Sequence, residues 1–185
     1  MVTPITIAGI KNIAVSGRAA GGATTLSKSL GEKLFWPVIN GGEIYREYSR
    51  KMGIPLEQTG KSSDEYHLQL DNFIKEKLKS EKNLIVESWL SGFDAQNIPG
   101  VFKIFVTCSD TGMRIKRIMQ RDGMTEAEAG NHLHTREEEN LKKWEKLYHT
   151  GDIWKQELYD LVIDTAKTGP RETLELALKA LGVRE

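Results

Sequence analysis

The feature that most constrains this fold is the glycine-rich segment at residues 17–25. It contains three glycines, follows a short apolar run at residues 13–16, and precedes a helical pattern that begins at Thr24. In a strand–loop–helix unit, glycines let the backbone curl so that several N–H groups point inward, and the helix N-terminus adds the positive end of its dipole. The segment therefore predicts an anion-binding cradle at the end of the first strand.

This loop follows the phosphate-binding pattern G-x-x-x-x-G-K-S/T at every position except one. Gly17 and Gly22 occupy the glycine positions, and Thr24 stands where a hydroxyl would ligate Mg²⁺. Ala23 occupies the position of the lysine. The sequence thus predicts a phosphate cradle without its usual cation.

Length and composition indicate a small enzyme with one core. The chain has 185 residues, of which 39% are hydrophobic, and this favours a single domain over residues 1–185. Because the chain carries 26 basic and 26 acidic residues, neither a nucleic acid nor a membrane surface is expected as its main partner.

Cys108 is the single cysteine of the sequence, so an internal disulfide is excluded, and this residue is expected to be a buried thiol. No leader or membrane-spanning pattern is recognised, so a cytoplasmic location is expected.

Strand and helix patterns alternate along the chain. This alternation predicts a doubly wound α/β fold, in which a parallel five-stranded sheet is flanked by helices. The phosphate loop would lie at the carboxyl ends of the strands. The predicted strands are residues 13–16, 37–40, 84–87, 102–107 and 161–163, and the predicted helices are residues 24–33, 43–52, 64–80, 111–121, 126–148 and 171–181.

Several further segments, in order, carry a family resemblance. The loop ends G-A-T-T, where the family commonly reads G-T-T-T, and residues 40–46 read N-G-G-E-I-Y-R, similar to S-A-G-D/E-x-F/Y-R. An apolar strand ends in Glu87, the segments 117–121 and 135–138 look like the arginines of a lid, and residues 159–165 read Y-D-L-V-I-D-T. On these motifs the chain resembles nucleoside monophosphate kinases, most closely the archaeal-type cytidylate kinases.

The resemblance implies a P-loop kinase fold with a lid at about residues 121–150 and an acceptor-binding helical part at about residues 43–81. The implied reaction passes the γ-phosphoryl group of ATP, with Mg²⁺, to CMP or dCMP, in an enzyme that acts as a monomer. ATP is expected to bind the loop residues Gly17, Arg18, Ala19, Ala20, Gly21, Gly22, Ala23, Thr24 and Thr25.

The roles expected for the arginines have a physical reason. Phosphoryl transfer requires that the two substrates are aligned and that the charge on the transferring phosphoryl group is neutralised. Arg46 follows a strand end, where its planar fork can hold the acceptor phosphate bidentately. Arg117 and Arg121, with Arg136 farther along, are expected to be the catalytic cations that replace the missing lysine. Arg114 shares the helical spacing of Arg117 and Arg121, and a plain surface stripe is the alternative interpretation.

The predicted metal residues are Thr24 and Glu87. A carboxylate at the end of the third strand can orient a water on Mg²⁺, which prefers oxygen ligands and keeps several waters. The alternative is that Glu87 only caps the next helix. Gly42, Glu43, Arg46 and Trp89 are the predicted acceptor-binding residues.

Two departures from the family pattern lie on the acceptor side. The family usually reads E-G-R where this chain has Glu87-Ser88-Trp89, and it often carries D-R-R-Q where residues 71–74 read D-N-F-I. Trp89 and Phe73 can stack on a base but cannot pair with phosphate. Two alternatives therefore stay open, namely a small-metabolite kinase of the same fold and a nucleotide-binding protein without turnover, the latter favoured by Ala23.

Other conspicuous residues are expected to be structural. His132 and His134 point to different helix faces, and Asp110 is expected to cap a helix. The acidic run at residues 137–139 is expected to be a solvated face, while Lys142 and Lys143 can add to the lid cations. The remaining expectation is that Trp36, Trp144 and Trp154 pack in the core or under the lid.

Overall fold

A computed structural model of the chain describes residues 3–54, 62–150 and 152–183. Its centre is a five-stranded parallel sheet, as the sequence predicts. The strands are β1 (Asn12–Gly17), β2 (Val38–Asn40), β3 (Leu84–Glu87), β4 (Val101–Thr107) and β5 (Leu161–Asp164). Their order across the sheet is β2-β3-β1-β4-β5, and because they are parallel, all their carboxyl ends lie at one edge.

The helices connect these strands. The six helices predicted from the sequence are present, and their ends lie within two residues of the expected positions. A four-residue helix and a 3₁₀ turn were not predicted, because segments this short show no hydrophobic period. The helices are α1 (Ala23–Leu34), α2 (Gly41–Met52), α3 (Asp64–Ser80), α4 (Ser91–Asp94), α5 (Thr111–Asp122), α6 (Glu126–Tyr148) and α7 (Pro170–Ala180), and the 3₁₀ turn is Gln156–Leu158.

Side-chain caps fix where several helices begin. The Asp110 carboxylate accepts from the backbone N–H of Met113 at 2.9 Å, which confirms its predicted role at the start of α5. Thr125 and Glu128 form a capping box at the start of α6. Each cap satisfies N–H groups that have no partner within the helix, and it contributes about 1 kcal/mol.

The sheet is covered on both faces. On β1, Ile13 and Val15 belong to a core cluster with residues of α1 and α7, while Ala14 belongs to a second cluster with Ile74 of α3. Alternate residues of one buried strand thus meet opposite helical layers, which confirms the doubly wound arrangement. Complete burial of such aliphatic side chains contributes about 1.5–3 kcal/mol each.

The segment before β1 packs beside the sheet without adding a strand. The backbone N–H of Ile5 donates to the Leu34 carbonyl at 2.9 Å, and the Trp36 indole donates to the Ile5 carbonyl at 2.8 Å. Trp36 is buried, as expected. The apolar residues at 5–10 otherwise form a single antiparallel bridge between Ile7 and Ile10.

Cys108 is a free, buried thiol at the end of β4, as predicted. Among the described residues, every helix is too short or too polar to cross a bilayer.

Candidate functional site

One large cleft opens at the carboxyl edge of the sheet, with a volume of about 620 Å³. Its wall includes the whole loop at residues 17–25, together with the start of α2, the end of β3, and parts of α5 and α6. The structure therefore brings the residues predicted to bind ATP, the acceptor and the metal, and the three predicted catalytic arginines, into one place. Those outside the loop are Gly42, Glu43, Arg46, Glu87, Trp89, Arg117, Arg121 and Arg136.

The glycines of the loop stand where the backbone leaves no room for a side chain. A Cβ on Gly17 would lie 2.5 Å from the Ala23 Cβ, and one on Gly21 would lie 2.9 Å from the Arg18 carbonyl oxygen. Gly22 adopts φ 106° and precedes α1 without a side-chain cap. The first N–H groups of α1 thus lack a capping side chain, as an anion-binding helix start requires.

Arg117 is fixed against this loop. Its Nη1 donates to the Ala20 carbonyl at 3.0 Å and to the Thr165 hydroxyl at 2.9 Å. Arg121, one turn later on α5, instead donates through Nε and Nη2 to the Asp122 carboxylate at 2.8 and 2.7 Å. Of the two predicted cations on α5, Arg117 is therefore held at the loop, while Arg121 is paired with its neighbour Asp122 in the wall of the cleft.

Arg136 faces the same space from α6. Its guanidinium lies 4.8 Å from the centre of the Trp89 ring, and its buried Nε has no hydrogen-bond partner among the described residues. Burial, with smaller contributions from the nearby Arg121 and Arg46, lowers the pKa of Arg136 to about 10. Positive charge concentrated in a partly buried cleft favours a polyanionic ligand.

Thr24 and Glu87 meet at the floor of the cleft. The Thr24 hydroxyl donates to the Glu87 carboxylate at 3.2 Å. Burial raises the pKa of Glu87 to about 7, although Thr24 and Arg46 act in the opposite direction. A hydroxyl and a carboxylate oxygen this close are the donor types that Mg²⁺ prefers, and the residues present therefore fit that metal.

A smaller cavity adjoins the cleft and shares three of its residues, Gly42, Trp89 and Arg136. Asp71 of α3 lies in its wall and accepts a hydrogen bond from the Tyr148 hydroxyl of α6. Burial raises the pKa of Asp71 to about 6. The other polar residues of this wall are Tyr45, His67, Ser88 and Asn140.

These polar residues were not predicted from the sequence, because the feature that distinguishes them is their burial, which depends on how the helices pack. His67 and Asp71 are one turn apart on α3 and both are buried, which is unusual for polar residues. The large cleft is also lined by residues that were not predicted, among them polar side chains on α1, after β5 and on α7. Examples are Lys28, Thr165, Thr168 and Thr173.

Some residues lie elsewhere than expected. Phe73 is 41% exposed and borders neither cavity, so it is not positioned to stack on a base there. Lys143 donates to the Asp64 carboxylate at 2.5 Å and does not line the cleft. His132 is buried while His134 is exposed, in agreement with the different faces expected for them.

Trp89, Trp144 and Trp154 pack against one another near the cleft. Trp144 is buried, and its ring lies 5.3 Å from that of Trp89 and 6.1 Å from that of Trp154. The expected packing role of Trp144 is therefore confirmed. The Trp89 ring contacts the Arg136 guanidinium as well as the other two tryptophans. Trp89 lines both cavities and therefore forms a wall between them.

The expectation of a solvated acidic face is wrong at Glu137. This side chain is buried, and its carboxylate accepts hydrogen bonds from Arg18 and Arg114. Arg114 is buried as well, so it is not part of an exposed arginine stripe. A charged triplet on a helix does not show which of its members meets a neighbouring helix, and the sequence pattern could not separate Glu137 from the exposed Glu138.

Comparisons with known proteins agree with this geometry. The model of the cytidylate kinase-like family matches residues 12–167. A cytidylate kinase of Archaeoglobus fulgidus is 30% identical over 177 residues, which are 94% of this chain and 96% of that protein. A cytidylate kinase of Thermococcus kodakarensis is 34% identical over 161 residues, covering 85% and 81% of the two chains. Among solved structures, a gluconokinase from Sinorhizobium meliloti superposes with a TM-score of 0.64 at 18% identity, over 94% of this chain and 93% of that one.

Proposed function

The chain belongs to the cytidylate kinase-like family, and we propose that it transfers the γ-phosphoryl group of ATP to a nucleoside monophosphate, with CMP or dCMP as acceptor. The named relatives support this reaction, since cytidylate kinases cover most of the chain at about a third identity. The acceptor base is the finer part of the proposal and depends on the smaller cavity.

The observation that carries the proposal is the junction of two cavities at Arg136. The phosphate loop lines one cavity. The other cavity lies beside it and is lined by aromatic side chains and by side chains that can form hydrogen bonds. A kinase needs such a pair of sites, because donor and acceptor phosphates must meet in line while their charge is neutralised.

On the donor side, the triphosphate of ATP would lie on the loop N–H groups and the start of α1. Thr24 would hold Mg²⁺ through its hydroxyl, and the ionised Glu87 carboxylate would orient one of the metal's waters. The bound ion supplies neutralisation of the phosphate charge. Lys28 and Thr173 also line the cleft, and the nucleoside of ATP would lie beside them.

On the acceptor side, Arg46 would hold the phosphate of the monophosphate, with Gly42 and Glu43 beside it. The base would enter the smaller cavity against Trp89. Asp71 presents a carboxylate there, and a carboxylate accepts from the exocyclic amino group of cytosine, whereas uracil has only a carbonyl at that position. This contrast supports a cytosine base over uracil.

Cations near the transferring group would replace the lysine absent at position 23. Arg117 is already held at the loop, while Arg121 can reach phosphate after leaving Asp122. Arg136 would approach both substrates from the lid at residues 121–150. The proposed acceptor-binding part at residues 43–81 would close the other side, and its residues 55–61 lie outside those described.

We further propose that the enzyme acts as a monomer and in the cytoplasm. The free thiol of Cys108 fits a reducing compartment. Size-exclusion chromatography with light scattering tests the oligomeric state.

The proposed function is tested by a steady-state screen in which ATP·Mg²⁺ is offered with CMP, dCMP, UMP, AMP or shikimate. Transfer to CMP and dCMP well above the others is expected. Preference for shikimate would favour a small-metabolite kinase, and ATP binding without any transfer would favour a non-catalytic binder.

A variant of the acceptor wall sharpens this test. Asp71→Asn replaces a hydrogen-bond acceptor by a group that can also donate, so the preference for CMP over UMP should fall about tenfold or more. Glu65→Gln, at an exposed position of the same helix, is the matched control and should leave the preference unchanged. An unaltered preference in Asp71→Asn would remove Asp71 from base recognition.

A further inference from the structure

Glu137 is a buried carboxylate on α6 that the proposed reaction does not use directly. It is 8% exposed and directly follows Arg136 in the chain. Its Oε1 accepts from Arg18 Nε at 3.2 Å and its Oε2 accepts from Arg18 Nη2 at 2.5 Å. Arg114 Nη2 also donates to this carboxylate.

Both arginines connect Glu137 to the phosphate loop. Arg18 is itself the second residue of the loop, and its guanidinium lies 5.2 Å from the centre of the Trp154 ring. Arg114, on α5, donates through Nε to the loop carbonyl of Ala19 at 2.9 Å. One carboxylate of α6 therefore joins the loop, α5 and α6.

The two arginines differ in exposure, and this difference makes the connection testable. The Arg114 side chain is 3% exposed and the Arg18 side chain is 38% exposed. Removing Arg18 leaves Glu137 paired with Arg114, so no buried charge becomes unpaired. Removing the Glu137 charge instead affects both arginines.

We propose that Glu137 is a positioning residue, which acts through Arg18 to hold the phosphate loop in register with Arg136. Adjacent residues of an α-helix are separated by a rise of about 1.5 Å, so fixing Glu137 against the loop also fixes the backbone from which Arg136 extends. A loop with alanine at position 23 has no lysine to align the phosphates itself. The catalytic consequence rests on the proposed function, while the effect on nucleotide binding does not.

A double-mutant cycle tests this connection, with Arg18→Ala, Glu137→Gln and the double variant. The readouts are the affinity for ATP·Mg²⁺ by calorimetry, together with kcat and the acceptor KM. We expect each single change to lower ATP affinity and kcat about tenfold with little change in acceptor KM, and the double variant to be no worse than the worse single one. Lys79→Ala, an exposed position on α3, is the charge control and should match the parent.

Two results would overturn the proposal. In one, the losses multiply to about a hundredfold in the double variant, as expected for independent residues. In the other, Arg18→Ala binds ATP and turns over like the parent. If Glu137→Gln does not fold, Arg18→Lys serves as the second variant, since a lysine keeps the charge without the planar fork and should recover part of the loss.

The same experiment separates this inference from the proposed function. A parent protein that binds ATP·Mg²⁺ but transfers no phosphoryl group would contradict the proposed function, and the binding cycle alone would then decide the role of Glu137. A parent that transfers phosphate with additive variants would contradict only the role of Glu137.

Discussion

Replacing Glu87 by glutamine should stabilise the protein without nucleotide at alkaline pH. The Glu87 carboxyl is buried at the end of β3, and burial raises its pKa from 4.5 to about 7. Glutamine has nearly the same shape and remains neutral at every pH. The change therefore removes the cost of ionising a buried group and little else.

The magnitude follows from linkage between ionisation and folding. Below pH 4.5 the group is protonated in both the folded and the unfolded chain, so its effect on the free energy of unfolding is absent there. As pH rises toward 7, the unfolded chain ionises first, and stability is progressively lost. Each pKa unit corresponds to about 1.4 kcal/mol, so raising the Glu87 pKa from 4.5 to about 7 lowers the free energy of unfolding by about 3 kcal/mol. This loss is complete somewhat above pH 7.

Urea unfolding of the protein without ATP or Mg²⁺, at pH 5 and at pH 8, measures this effect. Glu87→Gln should lose less stability than the parent between the two pH values, by about 2–3 kcal/mol. Glu138→Gln, at an exposed position of α6, should follow the parent. Equal pH dependence in the parent and Glu87→Gln would refute the assigned cause.

Further predictions concern the phosphate sites. Arg46→Ala should raise the acceptor KM about tenfold to a hundredfold through loss of a charge-assisted contact, with ATP affinity nearly unchanged in the same kinetic series. Thr24→Val keeps the shape but removes the metal-binding oxygen, so calorimetry should show weaker ATP binding only when Mg²⁺ is present; unchanged binding would contradict this site. Arg117→Ala and Arg121→Ala should each lower kcat by about 10³ or more, with a much smaller effect on ATP affinity, and Ala23→Lys should partly restore both variants. Turnover that is indifferent to both arginines would contradict the lid mechanism.

The fold could be predicted from the sequence because its signals are local. The glycine loop at residues 17–25 determines one strand–turn–helix unit, and continuous apolar runs such as β3 indicate strands that are buried on both faces. Parallel strands then bring their carboxyl ends to one edge, which places Thr24, Glu87 and Arg46 together without any knowledge of side-chain contacts. Helix α4 could not be predicted, because four residues do not establish a helical period.

The contacts between helices could not be predicted from the same patterns. Glu137 pairs with Arg114, which is 23 residues away, and with Arg18 in a different element. Asp71 of α3, in the wall of the smaller cavity, accepts a hydrogen bond from Tyr148 of α6. Helical spacing identifies which residues share a face, but the neighbour of that face depends on how the layers pack. The acceptor wall and the role of Glu137 therefore required the structure.

The fate of the γ-phosphoryl group tests the central claim most directly. Purified protein is incubated with γ-labelled ATP, Mg²⁺ and CMP, and the labelled products are separated by thin-layer chromatography. Transfer between the two cavities predicts that label accumulates in CDP as ATP is consumed, with little appearing as inorganic phosphate. Label that remains in ATP, or that is released only as inorganic phosphate, would contradict the proposed phosphoryl transfer to CMP.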